Sequence, residues 1–375
     1  MINLKAETIT TIAKGYGLLA GTAETAPLNH LRPRLEQRHR EGRTTPFEET
    51  AIERRLDPKL TWPEVQGLIV IGGSYLLPPA EPIRSSPGPL GRVARCAQGL
   101  DYHRQLKLKA EELVATLQKK IGLSLNYRLL IDRNPLVERE LALQAGLGIS
   151  GENCHLINPT GGSYLALGTL LIDRPVEPSP PAGKNGCLHC GRCREACPTG
   201  ALIAPYIIDP QRCLSYISQA GGIIPEAFRP LMGNRLYGCD RCQEVCPYNR
   251  EAEAASLPAP SYPFFPAEPR LFPLLTMTKR EFSSTIAYSA AGWRGKTTIQ
   301  RNAVVALGNS KYPEAVPPLA RLLARDPRPL IRLHAAWSLG TIGTAGARYY
   351  LEKCRHRDPD SSVQEEARVA LERMG

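Results

Sequence analysis

The sequence predicts a multidomain protein of mixed α+β / α/β class that ends in stacked helical hairpins. Three observations predict it. Over the first 180 residues, apolar runs of strand length alternate with an amphipathic helix. Eight of the eleven cysteines crowd into residues 187–246. Residues 291–375 carry a 32-residue repeat.

The first domain, residues 1–180, reads as α/β. Val65-Gln66-Gly67-Leu68-Ile69-Val70-Ile71 predicts a buried strand, Arg128-Leu129-Leu130-Ile131 a second ending at Asp132, and Tyr164 to Ile172 a third. Residues 104–120 predict a helix, with Leu106, Leu108, Leu113 and Leu117 on or near one face. The Pro/Gly-rich loop from Pro78 to Gly91 is long enough to be a lid or pocket wall. A linker at 177–183 leads into the cysteine-rich segment.

Cys187-x2-Cys190-x2-Cys193-x3-Cys197-Pro198 matches the ferredoxin run for iron–sulfur clusters, and Cys213 with Cys239-x2-Cys242-x3-Cys246-Pro247 forms a second run. Two-residue gaps let a tight loop wrap three corners of a cubane, while the displaced fourth cysteine reaches the other cluster. On that logic Cys187, Cys190, Cys193 and Cys246 hold one 4Fe–4S cluster. Cys197, Cys213, Cys239 and Cys242 hold the second. The long gap from Cys213 to Cys239 implies an inserted helical segment. Zinc is the rival, since paired C-x2-C motifs also bind it, but zinc does not need the run or its mirror image. The segment 181–256 is thus expected to be a ferredoxin-like two-cluster domain that delivers single electrons. Cys154 and Cys354 read as packing residues.

A Pro-rich linker, 257–290, precedes the tail at 291–375. There Ile299, Ile331 and Val363 are 32 apart, as are Ala303, Ala335 and Ala367, and Leu307, Leu339 and Leu371. Within each copy, steps of four place the three residues on one helical face, the signature of HEAT-like helical repeats. The tail has 14 Lys/Arg against eight Asp/Glu, and the whole chain has a formal net charge of +11. That charge points to a polyanionic partner. No apolar run approaches the ~20 residues that span a bilayer, so no membrane partner is expected. The N-terminus shows no export signal. A cytoplasmic location is expected, where clustered cysteines imply metal or catalysis rather than disulfides.

Taken in order, Arg95-Cys96 with Asp101-Tyr102-His103, Asp132 with Pro135-Leu136-x-Glu138-Arg139, Ala145-Gly146-Leu147-Gly148, both cysteine sets, Gly233-Asn234-Arg235-Leu236-Tyr237-Gly238-Cys239-Asp240, Trp293-Arg294-Gly295-Lys296 and Gln300-Arg301-Asn302-Ala303 resemble the epoxyqueuosine reductase family. The resemblance covers essentially the whole chain. Where the family reads A-G-L-G-W-x-G-K-N, this chain has Ile149 for the aromatic and Glu152 for the lysine, so no contact is carried over from either position. Asn153 matches.

The resemblance implies reduction of epoxyqueuosine at the tRNA wobble position to queuosine, with cobalamin fed by two 4Fe–4S clusters. Residues 1–180 would then be the cobalamin-binding catalytic domain and 291–375 the tRNA-binding domain. It further implies tRNAs with GUN anticodons and a low-potential electron donor. Asp101-Tyr102-His103 begins like the cobalamin motif D-x-H-x-x-G but has Leu106 at the glycine position. No protein histidine is therefore expected on cobalt, in keeping with base-off binding. Asp132, at a strand end, is expected to act as general acid from an apolar pocket that raises its pKa. Its plainer role would be a turn or cap. Cys96 is expected to line the cofactor and substrate pocket, and Arg55, Asn153 and Ser215 to contact cobalamin. Arg294, Lys296, Arg301 and Arg332, near helix starts, are expected to bind phosphate, and Trp293 to stack on a base. Two other readings remain at this stage: a different cobalamin/iron–sulfur reductase, of reductive-dehalogenase type, and a non-catalytic electron carrier.

Overall fold

The computed structural model describes residues 4–76, 88–182, 186–250, 252, 257 and 264–375. Residues 78–87 of the expected loop, 183 of the first linker and 258–263 of the Pro-rich stretch lie outside the described residues. The chain divides into two units, each assembled from three stretches. Unit 1 takes residues 1–78, 101–212 and 241–259; unit 2 takes 79–100, 213–240 and 260–375. The expected serial order of domain, insert, linker and tail is replaced by interleaving.

In unit 1, β1 (Leu19–Ala23), β2 (Gly67–Ser74), β3 (Tyr127–Leu130) and β4 (Leu165–Ile172) form one sheet. Its order is β1-β2-β4-β3, with every neighbouring pair antiparallel. Thr169 of β4 pairs with Val70 on one side and Leu130 on the other. Successive side chains of a strand point to opposite faces. Ile69, Ile71, Leu170 and Ile172 therefore enter one core, with Ile9 and Ala13 of α1 (Ala6–Gly15) and Leu106, Leu113 and Leu117 of α2 (Tyr102–Ile121); Leu108, expected on the same face, is instead exposed, two residues on from Leu106 and so turned well away from it. Leu68, Val70 and Leu171 enter the other, with Leu141 and Ala142 of α3 (Glu138–Gln144) and with Leu28 and Leu56. Burial on both faces explains the continuous apolar run of β2.

The sheet is not the parallel one whose strand ends gather ligands by rule. Here the carboxyl ends of β2 and β3 share an edge with the amino ends of β1 and β4. Helix α2 starts with Asp101, whose side chain accepts from the His103 N–H, and stops at Gly122 with φ 68°. A Cβ on Gly21 would stand 1.9 Å from the Ala145 carbonyl oxygen, so only glycine lets β1 meet the end of α3.

Unit 2 contains α4 (Gly295–Ser310), α5 (Val316–Arg325), α6 (Pro329–Ile342), α7 (Ala345–Arg357) and α8 (Ser361–Arg373). Helix α6 packs between α4 and α8. All nine repeat positions, from Ile299 to Leu371, are buried. Gly308 and Gly340 extend the 32-residue pattern. A Cβ on either would come within 2.7 Å of Ser338 or 2.6 Å of Ala370, respectively. Part of the expected linker belongs to this packing. Leu271–Thr276 and Lys279–Ser284 are helical, and Leu271, Leu275 and Phe282 are buried.

Two arginines expected at a phosphate-binding surface are instead internal. Arg301 is 1% exposed. Its Nη1 donates to the carbonyls of Ala220 and Gly222, both at 2.7 Å, and its Nη2 to those of Ile217 and Ser218. Burial, then the charge of Arg294, lowers it to about 10, so it stays cationic at neutral pH. Arg332 makes a two-pronged ion pair with Asp358, at 2.8 and 2.9 Å, joining α6 to the end of α7. A buried guanidinium bound to carbonyls leaves several unsatisfied acceptors when removed. Arg301→Ala should therefore destabilise the chain by about 3 kcal/mol or more. Arg321→Ala, on the exposed side of α5, should stay within about 0.5 kcal/mol. Matching melting curves for the two variants would refute the structural role of Arg301.

Candidate functional site

Asp132 follows β3 and turns the chain with φ 52°, a left-handed conformation uncommon outside glycine. The turn presents its carboxylate to the first turn of α2. The Tyr102 hydroxyl donates to Asp132 Oδ2, and His103 Nε2 lies 3.2 Å from the same oxygen. His103 Nδ1 is 2.7 Å from Asp101 Oδ1. The imidazole is thus held between two carboxylates. Tyr102 stacks on it, ring centres 4.3 Å apart, and Tyr75 stacks on Tyr102. From α3, Glu138 Oε1 accepts from the Asp132 backbone N–H at 3.2 Å.

Burial works to lower His103, but hydrogen bonds and charge from Asp101 and Asp132 outweigh it and push it up to about 9. Burial, and then the charge of Asp132, pushes Glu138 up to about 8. At neutral pH both carry a proton. The expected apolar surroundings of Asp132 are instead polar, built from Tyr102, His103 and Glu138. Sequence reasoning gave Tyr102, His103 and Glu138 no catalytic place. The available signal was Asp101-x-His103 at a helix start, with Glu138 opening the next helix.

The cysteines of the first set surround a second feature of unit 1. Cys187, Cys190, Cys193 and Cys246 line a solvent-open cleft, whose wall includes Glu152, Asn153, Arg192 and Tyr248. Gly191, with φ 71°, turns the loop into the short helix Arg192–Glu195 that carries Cys193. Among the described residues, no trio of His, Cys, Asp or Glu closes on a single-ion geometry. Four thiols spread around a cleft suit a multi-iron cluster. The Asn153 Nδ2 atom is buried without a hydrogen-bond partner, a donor that cluster sulfur would satisfy.

Of the second set, Cys197 and Cys242 belong to unit 1, Cys213 and Cys239 to unit 2. Cys197 Sγ accepts from the Ala201 N–H at 3.2 Å. Burial opposes ionisation of this thiol, but N–H groups of Leu202, Thr199 and Ala201 and the Thr199 hydroxyl lower it overall. That environment suits a thiolate ligand.

The remaining expected residues divide between the two units. Arg55 Nη1 pairs with Glu48 at 2.6 Å, while its Nε is buried without a partner. Cys96 sits in the short turn Arg95–Ala97 of unit 2. Ser215 Oγ accepts from Gln219 within helix Leu214–Gln219. Asn153 belongs to the cysteine cleft. In unit 2, Trp293 is 42% exposed, donates through Nε1 to the Tyr237 hydroxyl at 2.9 Å and lies under the Arg294 guanidinium. Lys296 Nζ reaches the Met277 carbonyl at 3.1 Å. Arg301 and Arg332 are not available to phosphate, because internal acceptors hold them.

Three family models match: one described as epoxyqueuosine reductase QueG, DUF1730, over residues 55–133; a 4Fe-4S double cluster binding domain over 186–249; and HEAT repeats over 294–372. Epoxyqueuosine reductases of Bacillus cereus and Bacillus subtilis are 35% and 37% identical, each over 94% of this chain and 92% and 89% of their own. A solved epoxyqueuosine reductase with an epoxyqueuosine-modified tRNA-Tyr stem loop superimposes with a TM-score of 0.91 at 35% identity. The Streptococcus thermophilus enzyme does so at 0.90 and 32%; in both comparisons 98% of each chain is covered. Sheet, double-cluster segment and repeat tail all recur in proteins that match almost end to end, and the chain belongs to the epoxyqueuosine reductase family of oxidoreductases.

Proposed function

We propose that this chain reduces epoxyqueuosine in tRNA to queuosine, with cobalamin as reductant and two 4Fe–4S clusters as its electron supply. The observation that carries the reading is the proton-bearing network on Asp132, within a chain whose cysteine spacing supplies electrons. The conversion removes the epoxide oxygen as water and consumes two electrons and two protons. Cobalamin, when bound, supplies a strongly reducing, nucleophilic cobalt. Both ring nitrogens of His103 are engaged by carboxylates, so His103 would not be among the residues that hold the cofactor. Arg55, whose buried Nε has no partner, together with Cys96 and Ser215, is proposed to contact the cofactor. Cys96 is also an alternative proton source.

Asp132 is proposed to protonate the departing oxygen. His103 holds the proton that restores it, Tyr102 fixes the carboxylate and Asp101 fixes the imidazole. In support, the Bacillus subtilis enzyme has been captured with an aspartate-bearing catalytic loop swung out of its active site. Asp132 likewise sits on a turn rather than within a strand. The tRNA partner, with GUN anticodons, is proposed to meet Trp293, Arg294 and Lys296. Cations before and in the first turn of α4 oppose the helix dipole, and a phosphate partner would offset that. The electron donor is proposed to be a low-potential carrier. Among the described residues no helix is long and apolar enough to cross a membrane. A reducing, cytoplasmic setting would suit eight thiolate ligands.

Three outcomes test this. Asp132→Asn should keep iron, cobalamin and tRNA binding yet lose about 10²–10⁴-fold in single-turnover rate on epoxyqueuosine-containing tRNA, with nucleosides read by mass spectrometry. A loss of only a few-fold would move the proton source elsewhere.

The pH profile follows from His103. Its folded pKa lies above the ordinary 6.5, so the proton is held through neutral pH and lost as pH rises through about 9. The rate should fall above that value, and His103→Gln should remove this limb of the profile. Persistence of the limb in the variant would assign it to another group, Glu138 first.

Reversing Arg294 and Lys296 to Glu should weaken tRNA binding and flatten its log–log salt slope by roughly 0.7–0.9 for each phosphate no longer neutralised. Equal slopes before and after would place the tRNA elsewhere.

A further inference from the structure

Beside the four thiols of the first cysteine set stand two buried polar side chains that the reaction does not use. Glu152 is 6% and Asn153 3% exposed, and both line the cleft with Cys187, Cys190, Cys193 and Cys246. Glu152 Oε1 is 2.9 Å from Nδ1 of His189, a residue of the loop between Cys187 and Cys190. Asn153 Oδ1 accepts from the His155 backbone N–H at 3.2 Å. That bond fixes the amide's orientation, since a flipped amide would set donor against donor. Its Nδ2 is therefore the unspent donor, and it is the atom buried without a partner.

We infer that Glu152 and Asn153 together set the reduction potential of the cluster held by Cys187, Cys190, Cys193 and Cys246, the carboxylate lowering it and the amide raising it. The inference rests on the assignment of those four thiols to one cluster. A four-thiolate cubane is already anionic and gains another negative charge on reduction. Net charge and hydrogen bonds to sulfur are two of the main determinants of its potential. A buried carboxylate on the cleft wall opposes the incoming electron, and low local polarity lengthens its reach. An N–H donated to cluster sulfur stabilises the reduced form. Arg192 also lines the cleft, but it is exposed, so solvent screens its charge more strongly. The Glu152–His189 hydrogen bond holds the carboxylate at the ligand loop instead of letting it swing to water. The result is a cluster poised to pass its electron on.

The experiment is a potentiometric titration of the anaerobically reconstituted full-length chain, followed by electron paramagnetic resonance, with the other cluster as internal reference. Glu152→Gln keeps the size and a hydrogen bond to His189 but removes the charge. It should favour reduction of this cluster about tenfold, a rise of 59 mV for one electron. Asn153→Leu should shift the same cluster in the opposite direction, and the reference cluster should hold its value in both. Should the leucine variant lose iron, Asn153→Asp serves in its place. It keeps an oxygen for the His155 N–H, lacks the amide donor and should also lower the potential.

Opposite shifts confined to one cluster support the inference, because a merely structural pair would not produce them. Unchanged potentials with eight irons bound overturn it. Four irons, or zinc, in the unaltered protein instead overturn the cradle assignment and the inference with it. That outcome is separable by metal analysis before any titration.

Discussion

A sheet buried on both faces can carry polar chemistry only at its strand ends. In unit 1, helices α1 and α2 cover one face and α3 the other, so β2 and β4 are apolar nearly throughout. The Asp132 network gathers at the edge where β2 and β3 finish. Asp132 lies there because the chain must turn after β3. The first turn of α2 lies there because that helix packs along the sheet. The same packing that makes the core therefore delivers Asp101, Tyr102 and His103 to Asp132.

Unit 2 obeys a related rule, with charge in place of chemistry. Close helix stacking needs small residues, supplied by Ala303, Ala335 and Ala367 and by Gly308 and Gly340. It also strands backbone carbonyls at the ends of neighbouring short helices. Arg301 satisfies four of them from inside the unit. A basic composition is thus not the same as a basic surface. Part of the tail's charge is structural, so fewer of its cations are available to a partner than the net charge suggests.

These two rules explain what was legible in the sequence. Cysteine spacing is local, so a two-cluster segment could be expected from spacing alone, and the double-cluster family model falls on that segment. The 32-residue repeat was equally legible, because each trio marks a buried helical face. Strand direction was not, since local apolar runs look the same in parallel and antiparallel sheets. The helices at 271–284 were hidden by their proline-rich surroundings. The roles of Arg301 and Arg332 depend on carbonyls and a carboxylate brought near by tertiary packing, which no helix-start rule foresees. Asp132 could be singled out, but not its setting. A polar network built from α2 and α3 replaces the apolar pocket that a lone acid would need.

The proposed reaction requires electrons and protons in equal number, and unit 1 prepares for each in opposite electrostatic terms. Around the first cysteine set, a buried carboxylate makes added negative charge unwelcome, which favours release of an electron. Around Asp132, two carboxylates make positive charge welcome on His103, which keeps a proton in reserve at neutral pH. The devices are the same, acidic side chains placed beside the group they tune, yet their effects are opposite because one group carries negative charge and the other positive. A substitution that neutralised Glu152 would make the electron harder to give up. One that neutralised Asp101 would make the proton easier to lose before it is needed. Separate placement of the two acids, one on the cleft wall and one at the start of α2, allows either supply to be adjusted without disturbing the other.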